Sequence, residues 1–112
     1  MLSILAQISW YQRCVIIHSY LYYSLGTSVL DDLTYDKIAR ELVTLKKKFP
    51  DLWSESEYYK QFGDEYNGST GMGLYDSLNS EQKEKIQAIA HTILDHVHGQ
   101  GDIWKEFYYH RR

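Results

Sequence analysis

YLYYSLGTSVLDDLTYDKIARELVTLKKKFPDL, Tyr20 to Leu52, holds the end of one helical pattern, a break and the whole of a second pattern. Working back from it, Trp10, Cys14, Ile17, Leu21 and Leu25 recur every three or four residues, the stripe of an amphipathic helix. A second stripe, Leu5, Ile8, Tyr11 and Val15, makes this helix apolar around much of its circumference, so it is expected to be the most buried element. Gly26 supplies a C-terminal stop, with residues 27–30 as a short loop. Working forward, Asp31 or Asp32 can cap a second helix that carries Tyr35, Ile38, Leu42, Leu45 and Phe49 along one face and ends at Pro50. The expected fold class is all-α, built on a helical hairpin.

The break is where chemistry collects. Tyr20, Tyr22 and Tyr23 close the first helix, and Asp32, Tyr35 and Asp36 share one face of the first turn of the second. A tight reversal sets aromatic faces opposite carboxylates, a cup suited to a flat ligand that is cationic or rich in hydroxyls. The plainer reading is that tyrosines join the helix ends and Asp32 is a cap.

The spacing resembles the small N-terminal subdomain of NAD-dependent DNA ligases, which carries YxYHxxDxPxxxDxEYDxLxxEL followed by HPEL. The matching residues are Tyr20, Tyr22 and Tyr23, then Asp32, Tyr35 and Asp36, then Arg40, Glu41 and Leu42, then Phe49 to Leu52. In those ligases the subdomain grips the nicotinamide mononucleotide (NMN) half of NAD. The resemblance implies such a role for Tyr22, Asp32, Tyr35 and Asp36, and for Tyr23 where the family usually has histidine. It also suggests a stand-alone relative of phage or prophage type.

Beyond the hairpin the pattern dissolves. Residues 53–77 read as an irregular loop rich in Gly and Tyr, with a short helix within 54–61 and with Phe62, Tyr66, Met72 and Tyr75 packed over the hairpin. Its glycines lack the GxxxxGK[ST] order of a phosphate loop. A third helix is expected over residues 78–98, with Asn79 and Gln82 placed for a capping box, Ile86, Ala90, Ile93 and Val97 as its stripe, and Gly99 as its stop. The remaining 99–112, with Trp104, Phe107, Tyr108 and Tyr109, are either a fourth short helix or a tail that orders on a partner.

A chain of 112 residues makes one domain with a modest core. Its formal net charge of −3 argues against direct nucleic-acid binding, since phosphate neutralisation needs clustered cations. The triplet Lys46, Lys47 and Lys48 is better read as complementing a helix C-terminus. The single cysteine, Cys14, excludes an internal disulfide and points to the cytoplasm. Gln7, Gln12, Arg13 and His18 interrupt the apolar N-terminal run, so no membrane span is expected.

Catalytic signatures are sparse. No lysine is followed two positions on by aspartate, so the KxDG adenylation motif is missing from these residues and no ligase activity of the chain's own is expected. Asp32 and Asp36 as an acid–base pair on a glycosidic bond, and Cys14 with His18 as a thiol and base, are less favoured than ligand contacts and core packing. His91, Asp95 and His98 share a helix face at metal-ligand spacing, but a solvated face needs no metal, and none is expected. The resulting expectation is a non-catalytic module for NMN or NAD, an accessory or split-ligase piece. The alternative is a protein-interaction module, such as an inhibitor of a host nuclease or defence enzyme, because eleven tyrosines favour protein contact.

Overall fold

A computed structural model describes residues 3–27, 30, 32–68, 71 and 73–100, without the side chains of Asp32 and 97–100. Among the described residues the chain forms, in order, α1 (Ile4–Leu25), α2 (Asp32–Lys48), α3 (Pro50–Ser54), α4 (Tyr59–Phe62) and α5 (Ser80–Gln100). They include no strand, and the all-α expectation holds. The aromatic tail from Trp104 onward lies outside the described residues.

The hairpin forms as its sequence requires. Ser3 caps α1 by accepting the Ala6 N–H at 3.1 Å. Gly26 ends it in the left-handed conformation (φ 65°), and the N–H groups of Gly26 and Thr27 both turn back to the Leu21 carbonyl. A side chain at that φ would be strained, so a glycine stops the helix here. Asp32 enters α2 as its first helical residue, while Asp31 lies outside the described residues. On α2, Ile38 and Leu42 are fully packed, and Tyr35, Leu45 and Phe49 lie against the same core. Pro50 follows the end of α2 but does not end helical structure, because its missing N–H is no loss at the first position of α3.

α1 is the axis of the molecule. Every residue from Tyr11 to Leu21 except Arg13 is buried, and α2, α3 and α5 all pack on it. Three polar residues in that run are buried with the rest, Gln12, His18 and Ser19. Gln12 donates to Ser56 Oγ at 2.8 Å and accepts the Tyr58 N–H at 3.2 Å, and Ser56 donates in turn to the Trp53 carbonyl at 2.6 Å. This network fixes the α3–α4 turn against the middle of α1. Outside it, Glu57 bridges Arg13 at 2.9 Å and Lys85 at 3.4 Å, tying α1, the turn and α5 together at the surface.

The short helix expected within 54–61 is met by α4, which overlaps the end of that range, and a further short helix not expected, α3, precedes it from Pro50. Past α4 an aromatic cluster orders the chain: Trp53 stacks on Tyr66 with ring centroids 6.2 Å apart, and Phe62 stands edge-on to both. The Trp53 indole donates to the Gly63 carbonyl at 3.0 Å, and Lys46 donates to the Tyr66 carbonyl at 2.8 Å. Phe62, Tyr66 and Tyr75 pack on the core as expected, and Met72 lies outside the described residues. The capping box of α5 is present in both directions: the Asn79 N–H reaches Gln82 Oε1 at 3.0 Å and the Gln82 N–H reaches Asn79 Oδ1 at 2.8 Å. Its far end differs from expectation, because α5 runs through Gly99 to Gln100. One glycine costs a helix only about 1 kcal/mol and need not end it. Cys14 and His18 are both core residues, not an exposed thiol and base.

Stability measurements can check this packing. Gln12→Ala strips a partner from the buried Tyr58 N–H and leaves a cavity, so urea unfolding should show a loss of about 2–4 kcal/mol. Lys85→Ala, which breaks only a surface pair, should lose less than about 1 kcal/mol. Burial pushes the pKa of His18 down to about 3, from 6.5 for an ordinary histidine. The unfolded chain then binds more protons between those values, so stability contributed by neutral His18 is complete above about pH 6.5 and falls progressively toward pH 3. The thermal midpoint should drop across pH 6 to 4, and His18→Leu should flatten that slope; an unchanged slope would assign it to other groups.

Candidate functional site

The candidate site lies at the tip of the hairpin, on the last turn of α1 and the first turn of α2. These two turns are held together from beneath. Leu21 and Leu30 are buried, and Ile38 lies one turn further along α2 in the same core. The side chains above that floor divide by exposure. Tyr22 and Tyr23 project outward, 60% and 49% exposed, with their rings edge to face at 4.9 Å between centroids. Two neighbouring residues on a helix point about 100° apart, so this contact spreads the aromatic surface round the end of α1.

Tyr35 rises between the helices, half-buried. Its hydroxyl lies 3.2 Å from Ser19 Oγ of α1, and either oxygen can donate. Burial raises the Tyr35 pKa, the Ser19 contact works in the opposite direction, and the nearby Tyr23 and Asp36 raise it further. Tyr35 is therefore a neutral phenol at physiological pH, able to donate and accept. Burial and the proximity of Tyr35 likewise raise the pKa of Tyr66, which approaches from the loop side. Asp36 is exposed at the same end. The structure thus brings Tyr22, Tyr23, Tyr35 and Asp36 together; the side chain of Asp32 lies outside the described residues.

Of the loop tyrosines, Tyr66 comes near Tyr35 and Tyr75 is turned elsewhere. Tyr75 packs on Tyr20 with centroids 4.4 Å apart, and its hydroxyl receives the Gln87 amide, so it is turned toward α5. Tyr66 is held on Trp53. Tyr20, the third tyrosine of the motif, thereby serves the core, leaving the outward surface to Tyr22 and Tyr23.

Other polar sites are less developed. An open groove of about 400 Å³ between the α3–α4 turn and the start of α5 is lined by Ser56, Glu57, Lys60, Ser77 and Gln82, and contains none of the tip residues. His91 and Asp95 are exposed on α5, the side chain of His98 is outside the described residues, and no cluster of three or more metal ligands occurs among the described residues. No helix among them is long and apolar enough to cross a membrane.

Two contributors at the tip, Ser19 and Gly71, were not legible as site residues. Ser19 reads as one small polar residue inside an apolar run. Gly71 reads as one glycine of a turn-rich loop, and only the fold brings it beside α1.

Similarity to known proteins follows the hairpin. The sequence profile of the DNA ligase-like, N-terminal NAD+-binding domain matches residues 1–56. A DNA ligase of Thermosipho africanus is 37% identical over 90 residues, 80% of this chain and 12% of that protein. A DNA ligase of Psychrobacter cryohalolentis is 34% identical over 62 residues, 55% of this chain and 9% of that protein. Over a shorter span of 35 residues, 31% of this chain and 5% of the relative, identity to a DNA ligase of Coprothermobacter proteolyticus reaches 53%. The chain thus spans about a tenth or less of the length of these relatives. No solved structure matches it. With the profile covering the whole hairpin, the α1–α2 tip and its tyrosines included, the chain belongs to the family of DNA ligase-like, N-terminal NAD+-binding domains.

Proposed function

We propose that this chain grips the nicotinamide mononucleotide half of NAD at the hairpin tip and does no bond-making chemistry with its own residues. The observation that carries the reading is the convergence of exposed Tyr22 and Tyr23 with Tyr35 and Asp36 at the junction of α1 and α2. An oxidised nicotinamide is a planar cation, and an aromatic face attracts it by roughly 0.5–2 kcal/mol. Tyr22 and Tyr23 are the stacking surface. Asp36, with Asp32, accepts from ribose hydroxyls or the carboxamide and complements the ring charge. Tyr35 contributes a neutral phenol that walls the cup.

The residues fit such a group in sign as well as shape. Asp36 adds a full negative charge at a tip where the dipole ends of α1 and α2 offset each other, and no lysine or arginine occurs from Tyr20 through Asp36 to oppose a cationic ring. Transfer of the adenylyl group needs a nucleophile, which the KxDG lysine provides in the ligases and which is not among these 112 residues. In this reading these residues hold the nucleotide rather than react with it, as an accessory or split-ligase piece or as an NMN or NAD sensor.

One observation favours a second reading. Leu25, 40% exposed and one turn past Tyr22 on α1, extends the apolar surface beside the exposed tyrosines, and Leu33 at the start of α2 is 78% exposed. Aromatic and aliphatic side chains grouped in this way suit a protein partner, and the tip would then be a docking face on a reused scaffold.

Calorimetric titration of the purified chain with NMN and NAD separates the readings. Saturable binding is expected, weakened about tenfold or more by Tyr22→Ala and by Asp36→Ala. Because Asp36 is exposed, its replacement should change stability by no more than about 0.5 kcal/mol. No heat up to millimolar ligand would reject the nicotinamide reading and leave the docking face.

A further inference from the structure

Tyr35 enters the cup on a long side chain, and where its ring stands depends on what holds the hydroxyl. That hydroxyl meets Ser19, which lies four residues before Tyr23 on α1. Residues four apart on a helix share a face, so α1 presents Ser19 below and Tyr23 above, both toward Tyr35. Ser19 is itself buried, only 4% exposed, and its oxygen has one fixed place in the packing.

The third wall comes from the loop. Gly71 is buried against the same pair: a Cβ built on it would overlap Ser19 Oγ and stand 2.9 Å from both Ser19 Cβ and the Tyr35 hydroxyl. Only a residue without a side chain lets the backbone lie on these two oxygens. The loop is held there from both directions, by Gly68 against Ala39 and Val43 and by Tyr75 on Tyr20. A hydrogen bond covered in this way is stronger and more directional than one in water.

We propose that Ser19 and Gly71 are positioning residues that hold the Tyr35 phenol at the nicotinamide cup, Ser19 through its hydroxyl and Gly71 by leaving room for that bond. This rests on the nicotinamide reading above. It extends the working site beyond the hairpin, to a loop residue some 35 positions along the chain from Tyr35. Ser19 and Gly71 touch no ligand in this arrangement; they act through Tyr35.

The test is NMN titration and thermal melting of the wild-type chain, Ser19→Ala, Tyr35→Phe and the double variant, with Gly71→Ala as an independent perturbation. Ser19→Ala should weaken NMN roughly fivefold, the size of one hydrogen bond. Tyr35→Phe should weaken it by at least as much, and adding Ser19→Ala to it should change nothing further. Gly71→Ala, which keeps both hydroxyls but forces them apart, should weaken NMN at least as much as Ser19→Ala. In a Ser19→Ala background the melting midpoint of Gly71→Ala should partly recover, because the overlapping oxygen is gone, while NMN affinity should stay low. A purely structural role predicts that affinity recovers with the midpoint. The proposal is overturned if wild type binds NMN and Ser19→Ala binds it equally well, or if the Ser19→Ala loss is the same with phenylalanine at position 35. Absence of NMN binding by the wild-type chain would remove the nicotinamide reading and this inference together.

Discussion

Burial of α1 on nearly every side is the constraint to which the other elements answer. A helix with one apolar stripe needs one neighbour, whereas the run from Tyr11 to Leu21, with only Arg13 reaching the surface, needs cover all round. α2, α5 and the α3–α4 turn each take a sector. At the level of Ser19 and Tyr20 the remaining cover comes from the loop, through Gly71 and Tyr75. A small chain can hold such a core only if each covering segment has a defined place on it, and the polar groups on α1 supply those places.

Gln12 and Ser19 divide that task. Gln12 satisfies a backbone N–H and a hydroxyl of the α3–α4 turn, so the turn docks in one register; sliding it along α1 would orphan buried polar groups at a cost of about 1–3 kcal/mol each. Ser19, two turns further on, meets Tyr35 of α2 and sets the closest approach of the loop. The same helix thus specifies the assembly of the fold at its middle and the geometry of the candidate site toward its end. His18 between them is buried neutral, which links the integrity of this core to pH.

Among the described residues the tyrosines of the tip are sorted by neighbour. Tyr20, Tyr35, Tyr66 and Tyr75 pack against aromatic or hydroxyl partners within the fold, while Tyr22 and Tyr23 stand edge to face with each other and keep much of their rings exposed. A contiguous exposed aromatic patch beside a carboxylate is the physical ground for the proposed ligand or partner at the hairpin tip.

Periodicity made α1, α2 and α5 legible in advance, because apolar spacing reports a helix wherever one face is buried; Gly26 and the Asn79–Gln82 pair marked helix ends through local bonds that need no distant partner. The resemblance to the ligase subdomain implied Tyr22, Tyr23, Asp32, Tyr35 and Asp36 as a candidate group, all close to the hairpin break in the sequence. Local sequence did not resolve the two short helices after Phe49, too brief to show a period, nor the continuation of α5 through Gly99, which neighbouring turns can carry. It did not distinguish the tyrosines that pack from those that face outward, or mark Gln12, Ser19 and Gly71 as the residues that fix the turn and the loop. Those assignments depend on atoms 16 to 55 positions apart in the chain meeting at α1, and only tertiary packing brings them within reach.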